Sequence, residues 1–295
     1  MHCPGCGNKK IEILEKAETY KICRCLQCDL FFSDASVFPD RKWYEKTLGD
    51  KTAMVRPQVW LKWQEQIYSQ LLKRKGYGRM LLDVGCGDGE FIRRAQEKGY
   101  KVTGIDFNKI LISKVKRMGL EVYSMSLEQF GKRFPKRTFD IITFFEVLEH
   151  TDNPGHFLTL VGSMLKPGGN IVLSVPNRDR FRFGFNKYPK WDRPPHHFTW
   201  WSVDVLKNFL RLRGFKILEF RVFQKTIRFR FQQEGESRNK DSFFLTQLSL
   251  SRKLKYLFWR KIVSLIIFKV FKKKTVEMRV KTKGPYLYAH AVYLK

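Results

Sequence analysis

An apolar run that breaks into three closely spaced glycines constrains this 295-residue chain more than any other feature. Met80-Leu81-Leu82-Asp83-Val84 leads into Gly85-Cys86-Gly87-Asp88-Gly89, and Glu90-Phe91 opens a helical pattern that ends at Gly99. Tyr100 to Asp106 is a second apolar run, and it closes on an acid 17 residues after Gly89. Glycines let a ligand lie close to the backbone at strand ends, and an acid ending the next strand can take two ribose hydroxyls. The dinucleotide form G-x-G-x-x-G is not matched, because Glu90 stands where its third glycine would be. An acid there is unsuited to pyrophosphate. Asp83, facing a ligand from before the loop, suits a cation such as a sulfonium or ammonium.

Further along, Phe139 to Phe145 is an apolar strand followed by Glu146-Val147-Leu148-Glu149-His150. Leu165-Lys166-Pro167-Gly168-Gly169-Asn170 leads into Ile171 to Asn177. Strand and helix signals that alternate in this way indicate a parallel α/β sheet. Taken in order, LLDVGCGDGEF (81–91), GIDFN (104–108), FDIITFFEVLEH (139–150) and LKPGGNIVLSVPN (165–177) resemble the class I S-adenosylmethionine-dependent methyltransferases. The resemblance runs from about 79 to 223 and resumes at Ala289 to Lys295, which looks like the family's last strand. It implies a Rossmann-like seven-stranded sheet with helices on both faces. It further implies that Asp83, Gly85, Cys86 and Gly87 hold the methionine portion of S-adenosyl-L-methionine. Asp106 would bind the ribose hydroxyls, Phe107 would pack on the adenine, and Phe145 and Glu146 would lie near the sulfonium. Where many members place an Asp after the third strand, this chain has Ser126, whose hydroxyl can still accept from the adenine amine.

Cys3-x2-Cys6 and Cys25-x2-Cys28 stand 18 residues apart, the spacing of a structural zinc site. Each C-x-x-C turn aims two thiolates at one ion, and four thiolates close the tetrahedron without an open position. Gly7 follows the first pair and suits a left-handed turn; Asp29 holds the equivalent place after the second and tolerates it less well. Cys23 is a spare. The alternative is a set of reduced cysteines without metal. Residues 8–24 read as a two-stranded ribbon around the ion, and this head resembles the N-terminal extension of family members that act on small molecules and sugars.

Glu146-x-x-Glu149-His150 would share one face if it starts a helix. Together with the downstream His196-His197 it resembles the E-x-x-E-H with distal His of small-RNA 2′-O-methyltransferases and a segment of quinone-pathway O-methyltransferases. Three readings stay open: a divalent cation such as Mg at Glu146, Glu149, His150 and His196; a metal-free acid–base or orienting role; or structure alone. His150, His196 and Glu149 are the candidate catalytic residues, because a hydroxyl or amine acceptor needs a base within hydrogen-bond reach.

The net charge of +29 sits mainly at the C-terminal side: residues 176–295 hold 29 Lys/Arg against 8 Asp/Glu. Arg178, Arg180, Arg182, Lys187 and Arg193 follow the fifth strand beside the expected acceptor site and fit an anionic substrate. Phe215–Phe223 and 285–294 read as the sixth and seventh strands, with a helical insertion before the last. Its segment 254–274 interleaves Phe, Ile and Leu with Lys and Arg. It suits a membrane interface, a lid over the acceptor pocket, or a nucleic-acid groove, the last less well because its apolar face is continuous. The expected domains are a zinc ribbon (1–32), a linker and N-terminal helix (33–78), a methyltransferase domain (79–223 plus 284–295) and a basic apolar insertion (224–283). No secretory signal pattern opens the sequence, and Ile262 to Phe268 is far shorter than the roughly 20 residues that span a bilayer. The expected location is cytoplasmic, peripheral to the membrane. The expected activity is methyl transfer to a hydroxyl or amine of a small or lipid-linked, anionic acceptor. The alternative is an RNA methyltransferase of the 2′-O type, metal-assisted, that grips phosphate with its C-terminal region.

Overall fold

The structure is a computed structural model that describes residues 1–35, 79–180, 192–223 and 286–294, with the backbone alone of 226–232 and 275–281. The expected helix over 57–75, Arg182, Lys187 and the segment 254–274 lie outside the described residues.

Seven strands form one sheet: β4 (Met80–Val84), β5 (Lys101–Asp106), β6 (Val122–Ser124), β7 (Phe139–Phe145), β8 (Leu165–Pro176), β10 (Phe215–Phe223) and β13 (Tyr286–Tyr293). Their order is β10-β13-β8-β7-β4-β5-β6. β4 pairs in parallel with β5 and β7, β5 with β6, and β7 with β8. Only β13 runs against its neighbours, between β8 and β10. Both expected C-terminal strands are therefore present at the expected places.

Alternation along each strand divides the interior in two. On β4, Leu82 and Val84 join one apolar cluster and Leu81 the other; on β7, Ile142 and Phe144 oppose Ile141. The helices α1 (Glu90–Glu97) and α2 (Lys109–Arg117) cover one face with Phe91, Ile92, Ala95, Ile112 and Val115. Covering the other are α3 (Leu127–Arg133), α4 (Pro154–Met164) and α5 (Val203–Leu212), through Phe130, Leu158, Val161, Leu206 and Phe209. Polar side chains fix the helix starts: the side chains of Asn108, Ser126, Asn153 and Ser202 accept from the first-turn backbone N–H groups of α2, α3, α4 and α5.

The cysteine-rich head is a three-stranded antiparallel ribbon of β1 (Ile11–Lys16), β2 (Tyr20–Cys25) and β3 (Phe31–Ala35). The sequence expectation of two strands ending by residue 32 misses β3. A fourth strand, β9 (Thr199–Trp200), comes from the segment after β8 and pairs with β3: Phe31 faces Trp200, and Phe32 faces Thr199. Cys3, Cys23, Cys25, Leu30 and Phe32 belong to the same buried cluster as Phe144, Leu173 and Trp201. The ribbon therefore has no core of its own.

A second compact unit comprises residues 181–189 and 224–283. Within it, β11 (Thr226–Gln232) pairs antiparallel with β12 (Thr275–Lys281), from Thr226 opposite Lys281 to Gln232 opposite Thr275. The ends of the insertion are thus strands, where the sequence suggested helix. Among the described residues no helix is long and apolar enough to cross a membrane.

Candidate active site

The glycine loop after β4 takes left-handed backbone at Gly85, Gly87 and Gly89, with φ of 75°, 54° and 77°. An L-residue at Gly85 would also place its Cβ 2.6 Å from Val147 Cγ2. The loop is therefore shaped by the segment that follows β7. Gly87 N donates to Asp106 Oδ2 (3.0 Å), and Asn108 N donates to Asp106 Oδ1 (2.8 Å). These bonds orient the Asp106 carboxylate at the loop, and burial raises its pKa. Phe107 beside it keeps 47% of its surface exposed, a large ring at a strand end that a ligand could cover. Asp83 is buried; burial pushes its pKa up to about 7 even though Thr143 Oγ1 donates to Oδ1 at 2.6 Å. Cys86 turns its thiol into the core, where a Cβ on Gly104 would lie 2.8 Å from its sulfur. It can meet a ligand through its backbone. Ser126 Oγ accepts from Gln129 N at 3.0 Å and caps α3, so the oxygen expected near adenine already has a structural occupation.

Glu146 does not begin a helix. Its φ is 55°, a left-handed conformation uncommon outside glycine, and only a single 3-10 turn, Leu148–His150, follows. The shared helical face expected for Glu146, Glu149 and His150 is absent for that reason. Glu146 Oε1 instead accepts from Ser174 Oγ (2.8 Å) on β8, and burial raises its pKa to about 8. Phe145 packs edge-to-face on Phe91, the rings 5.2 Å apart.

Glu149 is 1% exposed, and neither of its carboxylate oxygens has a hydrogen-bond partner. Burial, with the charge of Glu146 adding, raises its pKa strongly. The adjacent His150 has its Nδ1 2.6 Å from the carbonyl oxygen of His196. A carbonyl only accepts, so Nδ1 carries the proton and Nε2 the lone pair. Nε2 lies 3.9 Å from Glu149 Oε1. Burial, followed by the neighbouring His197, lowers the His150 pKa to about 3, so the ring is neutral. The two downstream histidines have different places. His196 gives its backbone carbonyl to His150, whereas the His197 ring stands edge-to-face on His150 with centroids 4.9 Å apart. Ligand atoms of Glu149, His150 and His197 lie within 4.8 Å of one another. The distal histidine of this group is therefore His197, which the sequence left beside His196 as a lesser candidate. Asp192, for which the sequence held no signal, is buried 2.7 Å from His197 Nδ1 and also pairs with Arg180.

The arginines expected to meet an anionic substrate have protein partners. Arg178 donates to the carbonyl and carboxylate of Asp29 (2.5 and 2.6 Å) and covers the Phe31 ring at 4.1 Å. Arg193 pairs with Glu15, and Arg180 with Asp192. Their sequence pattern reported charge but not these acids, two of which belong to the ribbon.

In the ribbon, Cys3 Sγ–Cys28 Sγ and Cys6 Sγ–Cys25 Sγ are each 3.5 Å apart, and all four sulfurs fall within 4.8 Å. A tetrahedron with Zn–S bonds of about 2.3 Å has edges of about 3.8 Å, so the cluster fits zinc. The Cys28 thiol donating to it lowers the Cys3 pKa to about 5, and the same bond raises that of Cys28. Asp29 adopts the expected left-handed backbone, φ 60°, after Gly7 at 78°. Cys23 lies outside the cluster, buried near Met1 Sδ at 3.4 Å.

A parallel sheet with one reversed strand beside its sixth, and a glycine loop facing an acid across two strand ends, defines a nucleotide-type ligand site of α/β proteins. A family model for the methyltransferase domain matches residues 58–219. The chain belongs to this family, the class I S-adenosylmethionine-dependent methyltransferases. Over 108 residues it is 39% identical to the ubiquinone biosynthesis O-methyltransferase of Nitrosococcus oceani, an alignment covering 34% of this chain and 45% of that one. The corresponding protein of Marinobacter nauticus is 36% identical over 115 residues, with 37% and 48% covered. The chain thus spans about half the length of these curated relatives. A methyltransferase structure from Archaeoglobus fulgidus superposes with a TM-score of 0.50 at 19% identity, covering 85% of this chain and 98% of that one.

Proposed function

We propose that the chain transfers a methyl group from S-adenosylmethionine to a hydroxyl of a small or lipid-linked acceptor. One observation carries this reading: the glycine loop that presents Asp106 is in contact range of the segment bearing Glu146, Glu149 and His150, through Gly85 and Val147. The donor set fits the ligand, since Asp83, Asp106 and Glu146 gather acids where a sulfonium would lie. Gly85, Cys86 and Gly87 hold it by backbone, Phe107 covers the adenine, and Ser126 contributes at most its remaining hydroxyl proton. When bound, S-adenosylmethionine supplies a methyl on a positively charged sulfur. The protein aligns the acceptor oxygen behind that carbon, and alignment supplies most of the acceleration. His150 Nε2 takes the hydroxyl proton as the oxygen–carbon bond forms, and the carbonyl of His196 stabilises the protonated ring through Nδ1–H. The relatives' O-methyl chemistry supports a hydroxyl acceptor over an amine, and the segment 254–274 suits a membrane surface that presents a lipid-linked one. Because Arg178, Arg180 and Arg193 are paired, little support is left for an anionic acceptor. Methylation of a catechol probe is the expected result; methylation of single-stranded RNA in its place would transfer the reading to the RNA alternative.

Calorimetry tests the cofactor half. Asp106→Ala should weaken S-adenosylmethionine binding by about tenfold or more, since hydrogen bonds to a charged group contribute about 1.5–3 kcal/mol. The pH dependence has a definite sign. Asp83 and Glu146, raised to about 7 and about 8, keep protons in the empty pocket near neutrality. A bound sulfonium favours their ionised forms, so affinity should rise from roughly pH 6 to 9 and protons should be released. The neutral thioether product should show a flatter profile. For stability the sign is opposite. Unfolded carboxyls ionise near about 4, so the native state holds the extra protons and loses stability as pH rises through that window.

A second reading assigns a divalent cation to Glu149, His150 and His197, favoured by the buried, unbonded carboxylate of Glu149. It predicts that chelation abolishes turnover, that added Mg or Zn restores it, and that Glu149→Gln cannot be restored. Full turnover in chelated protein with the ribbon zinc intact would leave the metal-free reading standing.

A further inference from the structure

We propose that the zinc ribbon is a positioning element of the histidine site, holding residues 196–201 against Glu149 and His150. The segment is clamped on two sides. On the inner side, Phe198 N donates to Glu149 O (2.8 Å), the His196 carbonyl accepts from His150 Nδ1, and Thr199 Oγ1 donates to Leu148 O (3.2 Å). On the outer side, Ser33 N donates to Phe198 O (2.7 Å) and β9 pairs with β3. Phe198 thus joins the ribbon to the backbone of Glu149 through its own two polar groups. Arg178 adds a second tie. It bonds Asp29 in the turn just after Cys28, and its own N–H donates to Trp201 O at 2.7 Å. Arg193, whose carbonyl accepts from His196 N at 2.9 Å, pairs with Glu15 on β1.

These ties all fall on the acid–base segment and its histidine loop. Gly85 N and Cys86 N instead donate to Ile105 O, and Gly87 N to Asp106, within the main sheet. Zinc loss should therefore unseat the histidine loop and spare the cofactor loop. Four thiolates hold the turn that orients Asp29, and β3 leaves that turn directly. Without the ion, a ribbon with no core of its own loses its shape. A displacement of about 1 Å at reacting groups can cost about a hundredfold in rate.

The test combines hydrogen exchange with kinetics on the full chain, comparing zinc-loaded protein, protein stripped under reducing conditions, and zinc-loaded Arg178→Gln. In the stripped protein, amides of 31–35, 148–151 and 196–201 should lose protection together, while 81–87 and 102–106 keep theirs. Arg178→Gln should bind its zinc, exchange faster at 198–201, and show kcat at least about tenfold lower with S-adenosylmethionine affinity unchanged. Unchanged protection of 196–201 in both samples would overturn the proposal, as would a general loss across 81–106 in the stripped protein. The kinetic arm rests on the acid–base role proposed for His150; the exchange arm does not. Loss of protection without loss of kcat would therefore count against that role and not against the clamp.

Discussion

His150→Ala should lower kcat by about 10²–10⁴-fold while S-adenosylmethionine binds as before. The expected split follows from geometry. The ring belongs to the segment facing the glycine loop, but the backbone donors that orient Asp106 come from Gly87 and Asn108. Calorimetry should give the wild-type affinity, and steady-state assays with saturating acceptor should show the whole loss in turnover. His150→Gln can still donate to the His196 carbonyl but has no titratable nitrogen, so it should preserve the fold and lack activity. Because the ring is held neutral, with its pKa near 3, turnover should not fall as pH drops from 8 to about 6 through His150 itself. Any loss across that range belongs to the carboxyls. Turnover within about twofold of wild type in His150→Gln would remove the ring from the proton path.

Trp201→Ala carries the second large effect, on stability. Trp201 is wholly buried, packs on Phe209 with centroids 4.9 Å apart, and donates through Nε1 to Thr199 Oγ1 at 3.0 Å. Removing such a side chain costs about 3–5 kcal/mol, and here it also frees a hydroxyl beside the histidine loop. The urea midpoint should fall with an unchanged slope, as expected when packing changes and the unfolded chain does not. Trp201→Phe, which restores most of the volume, should recover most of the loss. If both variants unfold at the wild-type midpoint, the packing role of this residue is wrong.

The central sheet was legible because its signals are local. Alternating apolar runs, the glycines after Val84 and the acid at 106 declare their geometry within about 25 residues. The same holds for the two C-x-x-C turns, including the left-handed place occupied by Asp29. The site was legible less evenly. Glu149 and His150 stood out by type and spacing, but helical periodicity placed them wrongly. The turn after β7 reverses at Glu146, a residue whose type gives no warning of positive φ. Distinguishing His196 from His197 required the loop's fold, since neighbours in sequence exchange roles when one offers a carbonyl and the other a ring. The arginines were misread for the same reason. Whether a cation meets a ligand or a protein acid depends on what is brought opposite it, and Asp29 and Glu15 lie more than a hundred residues away.

The two-residue strand β9 has a consequence for how such proteins can be recombined. It covers the outer edge of β3, so the head and the catalytic part complete each other's sheet. Excised alone, the head would present that row of unsatisfied amides and carbonyls to solvent, a template for self-association. Transplanted onto a related enzyme, it would need the recipient's equivalent of 192–201 replaced as well. Ribbon and loop therefore form one unit of inheritance, although nearly two hundred residues of sequence separate them.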